Sequence, residues 1–160
     1  MVQETTNDDD FTALTELPVS GRILAIDPGT KRVGVAVCDE GQMISRAVGI
    51  IERQSWKKLL LAVKSHLVEF DAAALVVGLP YNSDGSESEM SAEARTMAAK
   101  FRLSLDIPVL FQDERGTSYE ARGRMWASGG SQNDRVDAEA AAIILADFLD
   151  RLESARSKAM

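Results

Sequence analysis

Three acidic positions in this chain have types and surroundings that could do chemistry. Asp27 closes the apolar run Ile23–Ile26, Asp113 and Glu114 close the run Val109–Gln112, and Asp137 stands at the front of a long Ala- and Ile-rich segment. Asp137 is followed by Ala141, Ile144 and Phe148 at steps of four, three and four residues, which puts it on the apolar side of a helix. A carboxylate there is costly to desolvate unless a cation or a donor meets it. Each acid has an ordinary reading by itself: a turn-starting aspartate before Pro-Gly, a salt-bridged strand end, an acid favoured by the helix dipole. Together, two strand ends and a helix start can meet at one end of a sheet, where ligand sites of α/β folds sit.

The chain holds one cysteine and one histidine, so such a cluster would be an oxygen-only donor set. That set suits Mg²⁺ or Mn²⁺, which keep several waters and also bind substrate phosphates. Two such ions about 3.5–4 Å apart can activate a water and stabilise the leaving oxygen of a phosphoryl displacement. This chemistry needs no nucleophilic side chain. Groups able to hold a polyanion lie nearby in sequence: Lys31, Arg32 and Arg115 carry charge, and Gly29 and Gly34 let a phosphate approach the backbone. Asn82, with Ser83, Gly85 and Ser86, forms a polar loop, and Arg122, Arg124 and Arg135 extend a basic rim.

The elements that must position these groups follow from periodicity. Residues 22–27, 32–39 and 43–51 read as three strands joined by Gly-containing turns, an antiparallel meander. Ser55 is placed to cap a helix with apolar residues from Trp56 to Phe70 at helical spacing. Ala73–Leu79 reads as a strand buried on both faces, Glu89–Leu105 as a second helix and Ile107–Gln112 as a fifth strand. Thr117 and Glu120 have capping-box spacing for a short helix ending at Gly129-Gly130, and Asp134–Glu153 forms the last helix. The expected fold is α/β: a mixed five-stranded sheet with its first three strands antiparallel, flanked by helices.

The 160 residues carry 18 Lys and Arg against 25 Asp and Glu, a net charge of −7, with 45% hydrophobic content suited to one globular domain. Residues 1–20 contribute −5 of that charge and read as a disordered acidic tail, which leaves a near-neutral body at 21–153 and a short C-terminal tail at 154–160. No bulk positive field argues for nucleic acid, although a near-neutral body can present a basic face. The longest apolar run, Ala72–Pro80, is about half of the roughly 20 residues that cross a bilayer. With no internal disulfide available, a reduced cytoplasmic setting is expected. His66, Cys38, Trp56 and Trp126 read as packing or helix-surface residues rather than site residues.

Four motifs in order carry a family resemblance: Asp27 to Gly34 (DPGTKRVG), Val77 to Pro80 (VGLP) with Asp84 to Ser86 (DGS), Asp113 to Arg115 (DER) with Thr117, and Asp137 to Leu145 (DAEAAAIIL). Over about residues 21–150 the chain resembles the YqgF/RuvX family, bacterial proteins of the RNase H-like fold similar to the RuvC Holliday-junction resolvases. The resemblance implies a divalent-metal-dependent nuclease, with Asp27, Glu114 and Asp137 as catalytic metal ligands and Asp113 as the alternative to Glu114. It further implies processing of the 5′ end of pre-16S rRNA, or resolution of branched DNA, for which a homodimer would suit a symmetric junction. Partners would be structured RNA, branched DNA and ribosomal particles. Two competing classes remain: a noncatalytic ribosome-assembly factor, and a kinase-like phosphate binder. The second needs two such halves around a cleft, and this length holds one.

Overall fold

The computed structural model describes residues 12–82, 84–114 and 133–160, with positions 133 and 134 given by their backbone alone. Five strands and three long helices run in the order β1 (Ile23–Pro28), β2 (Arg32–Cys38), β3 (Ser45–Glu52), α1 (Trp56–Glu69), β4 (Ala74–Leu79), α2 (Glu89–Ser104), β5 (Val109–Asp113) and α3 (Asn133–Ala159). They build one sheet of order β3-β2-β1-β4-β5. The meander β1-β2-β3 is antiparallel, whereas β4 pairs parallel to both β1 and β5. That division follows from the connections: short turns allow only antiparallel neighbours, and the parallel pairs are reached through helices. The short helix expected between Thr117 and Gly129 lies outside the described residues.

Both faces of the central strands are buried, which is why β1 and β4 read as continuous apolar runs. Strand alternation sorts them into two layers. Ile23, Ala25, Ala36, Ala74, Val76 and Leu110 pack under α3, while Leu24, Ile26, Val35, Leu75, Val77 and Val109 pack under α1 and α2. Ser55 caps α1 as its spacing predicts, accepting from the Lys58 N–H, and Ser88 with Ser91 forms a reciprocal capping box on α2.

Two boundaries differ from expectation. The acidic tail expected through residue 20 is packed from residue 12 onward: a helical turn at 12–15 and its exit place Leu14 and Leu17 in the α3-side core. The C-terminal tail expected at 154–160 is instead the last turns of α3, with Ala155 buried. In both places short apolar residues at wide spacing found a surface that local patterning could not show.

These two ends meet around a buried glutamine. Gln42 Nε2 donates to the carbonyls of Pro18 and Gly21 at 3.0 Å each, and Arg156 Nη1 donates to Gln42 Oε1 at 2.8 Å. Gln42 holds a left-handed backbone, φ 60°, to make this reach. Replacing Gln42 with Ala strands these groups and is expected to cost about 1–3 kcal/mol, read as a shift in the urea midpoint. An unchanged midpoint would show that the contacts contribute nothing. In the same turn, Asp39 Oδ1 accepts from the N–H groups of Ile44 and Met43 at 2.8 Å each, which holds its carboxyl below the usual range. Burial pushes the Cys38 thiol up, and the sulfur accepts from the Ile23 N–H, so the residue is a packed one, as expected.

Candidate active site

β1, β4 and β5 are parallel, so their C-terminal ends lie at one end of the sheet, and Asp27 and Asp113-Glu114 come with them. Asp27 continues the alternation of Ile23 and Ala25 and therefore faces the α3 layer. Its antiparallel partner is Gly34 on β2. Gly34 leaves an open notch beside the Asp27 carboxylate, and α3 fills it with backbone. A Cβ at Gly34 would stand 2.7 Å from the Asp137 carbonyl carbon and closer still to its oxygen. The first turns of α3 are thus seated directly against the strand pair that carries Asp27.

On the other side of β1, one step beyond the Ile26–Val77 pair, is Gly78 of β4. A Cβ there would press 2.5 Å from Ile144 Cδ1, so the same helix also lies closely over β4. Next across, Gln112 pairs with Gly78, and the Glu114 N–H extends the ladder to the Leu79 carbonyl at 2.9 Å. Leu110 packs under α3, so Gln112 and Glu114 share its side, whereas Asp113 falls on the side of Val109 and Phe111. By this parity Glu114 shares the face of Asp27, and Asp113 faces the α1–α2 side.

Asp27 and Glu114 are buried, at 8% and 4% exposure. β4 lies between them, so their strands are two spacings apart, about 9–10 Å. Asp137 is partly exposed and accepts from Arg32 Nε at 2.9 Å. Among the described residues, no group of three or more His, Cys, Asp or Glu side chains stands within reach of one ion. The three acids share one side and one end of the sheet without forming a ready-made metal cage, and a guanidinium occupies Asp137.

The expected substrate contacts divide. Lys31 and Arg135 are exposed near the acids, Arg32 is committed to Asp137, and Arg115 lies outside the described residues with Arg122 and Arg124. Asn82 closes its own loop: its Nδ2 donates to Ser86 Oγ at 2.9 Å and to the Glu87 carbonyl at 3.2 Å. Two arginines that sequence reading passed over brace the site. Arg151 Nε donates to Gln112 Oε1 at 3.0 Å and fixes the end of β5, and Arg53 reaches the carbonyl of Gly29 at 2.9 Å. No local signal distinguishes either, since each acts on a backbone or side chain brought near only by the fold.

No helix among the described residues is long and apolar enough to cross a membrane. In Anaeromyxobacter dehalogenans (strain 2CP-C), a relative named "Putative pre-16S rRNA nuclease" is 41% identical over 133 residues, 81% of this chain and 97% of the relative. A relative of the same name in Burkholderia mallei (strain SAVP1) is 40% identical over 130 residues, covering 81% of this chain and 88% of its own. Among solved structures, Thermus thermophilus RuvC superposes with a TM-score of 0.51 at 16% identity, over 82% of this chain and 96% of RuvC. Its complex with a Holliday junction substrate gives 0.52 at 14% identity, over 84% and 94%. The shared architecture is the RuvC-like RNase H fold. A family profile, RuvX, described as Holliday junction resolvase, matches residues 21–151, and the chain belongs to that family.

Proposed function

We propose that this chain is a divalent-metal-dependent nuclease that hydrolyses phosphodiester bonds, with precursor 16S rRNA as its substrate in the cytoplasm. The observation that carries this reading is the seating of the α3 backbone at Asp137 on Gly34, the β2 partner of buried Asp27, at the sheet end that also bears Glu114. The donor set fits Mg²⁺ or Mn²⁺: all oxygen, two of the three buried, no thiolate or imidazole among them. Asp27, Glu114 and Asp137 would hold the metal, which when bound supplies an activated water and charge stabilisation at the leaving oxygen. Arg32 has to yield Asp137 for this, and a guanidinium at that point of the turn suits a phosphate. Lys31 and Arg135, exposed nearby, steer the polyanion in, so affinity falls steeply with salt.

The naming of the relatives supports RNA as substrate, and the profile's description supports a second reading, resolution of branched DNA. One assay addresses both: purified protein with Mg²⁺ or Mn²⁺, or with chelator, is offered precursor 16S rRNA and a four-way junction. Cleavage of the RNA that chelator abolishes is the expected result. Cleavage of the junction alone moves the reading to DNA, and inertness toward both with metal supplied overturns it in favour of a noncatalytic assembly factor.

A further inference from the structure

The turn that leaves Asp27 is held from behind by a residue that touches none of the acids. Arg53, just past the end of β3, donates its backbone N–H to the Lys31 carbonyl at 2.9 Å. Its Nη1 donates to the Gly29 carbonyl at 2.9 Å and to Glu93 Oε1 of α2 at 2.7 Å. The turn itself is closed tightly, since a Cβ on Gly29 would collide with the Arg32 carbonyl oxygen. On the far side of Arg53 is a cavity of about 330 Å³ lined by Arg53, Ser55, Trp56, Glu93 and Lys100 among others. Arg53 thus stands between the turn and this cavity, and its hydrogen bonds tie the turn to α2.

We propose that Arg53 is a positioning residue for the cleavage reaction: a cationic strut, anchored on Glu93 of α2, that fixes the 28–32 turn and so the presentation of Asp27 and Arg32. The proposal rests on the nuclease reading above. Arg53 and Glu93 are both partly solvent-exposed, and exposed ion pairs contribute little to global stability. Their effect falls instead on the aim of the two groups at the ends of the turn. Displacements of about 1 Å at a reacting centre can cost on the order of 100-fold in rate.

The test compares Arg53→Gln and Glu93→Gln with wild type and Asp27→Asn. Its readouts are kcat and KM for metal-dependent cleavage, Mn²⁺ affinity by calorimetry without substrate, and far-UV circular dichroism. R53Q is expected to lower kcat roughly tenfold or more and to weaken Mn²⁺ binding several-fold, with KM for the nucleic acid little changed. E93Q, which leaves the guanidinium on Gly29 but removes its anchor, should show a smaller loss in the same two quantities. Wild-type kcat and Mn²⁺ affinity in R53Q, with both lost in D27N, overturn the strut and leave the nuclease reading intact. A raised KM at unchanged kcat makes Arg53 a substrate contact and also overturns it. Wild-type behaviour of D27N itself sinks the underlying reading. Should R53Q fail to fold, E93Q decides, and its identity with wild type in both readouts overturns the proposal.

Discussion

Asp27→Asn is expected to abolish metal-dependent cleavage, by about a thousandfold or more, while the protein stays folded. The carboxylate is buried at the end of β1, opposite the Gly34 notch and on the α3 side of the sheet. Metal-centred charge stabilisation is worth several kcal/mol at the transition state, and about 4 kcal/mol corresponds to three decades of rate. Asparagine keeps the size of the side chain and can still accept through its carbonyl oxygen, so the packing of β1 is preserved. Cleavage is measured with Mg²⁺ and with Mn²⁺, alongside a thermal melt. A variant that melts like wild type and still cuts would show that Asp27 carries none of the chemistry.

Gly34→Ala combines two losses. The added carbon would meet backbone of Asp137 and Ala138, with no flexible side-chain end to give way. Either α3 lifts off β2 or the strand bends, and overpacking of this kind costs about 1–3 kcal/mol, with more where backbone must move. Lifting α3 also carries Asp137 away from Asp27, so activity falls further than stability alone accounts for, even at temperatures where the variant is folded. Gly49→Ala is the built-in control, because a Cβ there meets nothing within 4 Å. G34A behaving like G49A in urea unfolding and in cleavage would refute the close seating of the helix.

Much of this arrangement is legible in the residues. Asp27 announces itself because it ends a strand with no other polar residue in it, and Asp137 because helical spacing ties it to Ala141, Ile144 and Phe148. The meander and the parallel strands follow from turn lengths, and Ser55 marks its helix correctly. The choice between Asp113 and Glu114 was not readable: it depends on which face of β5 lies under α3, and period-two alternation gives a parity without saying which side is which. The Arg32–Asp137 pair spans residues far apart in sequence and converts an expected phosphate ligand into a partner of an expected metal ligand. Arg53 and Gln42 were invisible for a related reason. Each donates to backbone carbonyls, and no carbonyl carries a sequence signature.

The clasp at Gln42 also constrains when this molecule can finish folding. Leu14 and Leu17 belong to the same core cluster as Leu149, Leu152 and Ala155, far later in the sequence, and Arg156 completes the contacts to Leu17 and Pro18. Contacts of such long range close the largest loop in the chain and carry the greatest entropic cost of closure. Synthesis runs from the N-terminus, so the α1–α2 side of the sheet can be covered before α3 is made, whereas the opposite face of β1, β2 and β4 stays bare until α3 has emerged.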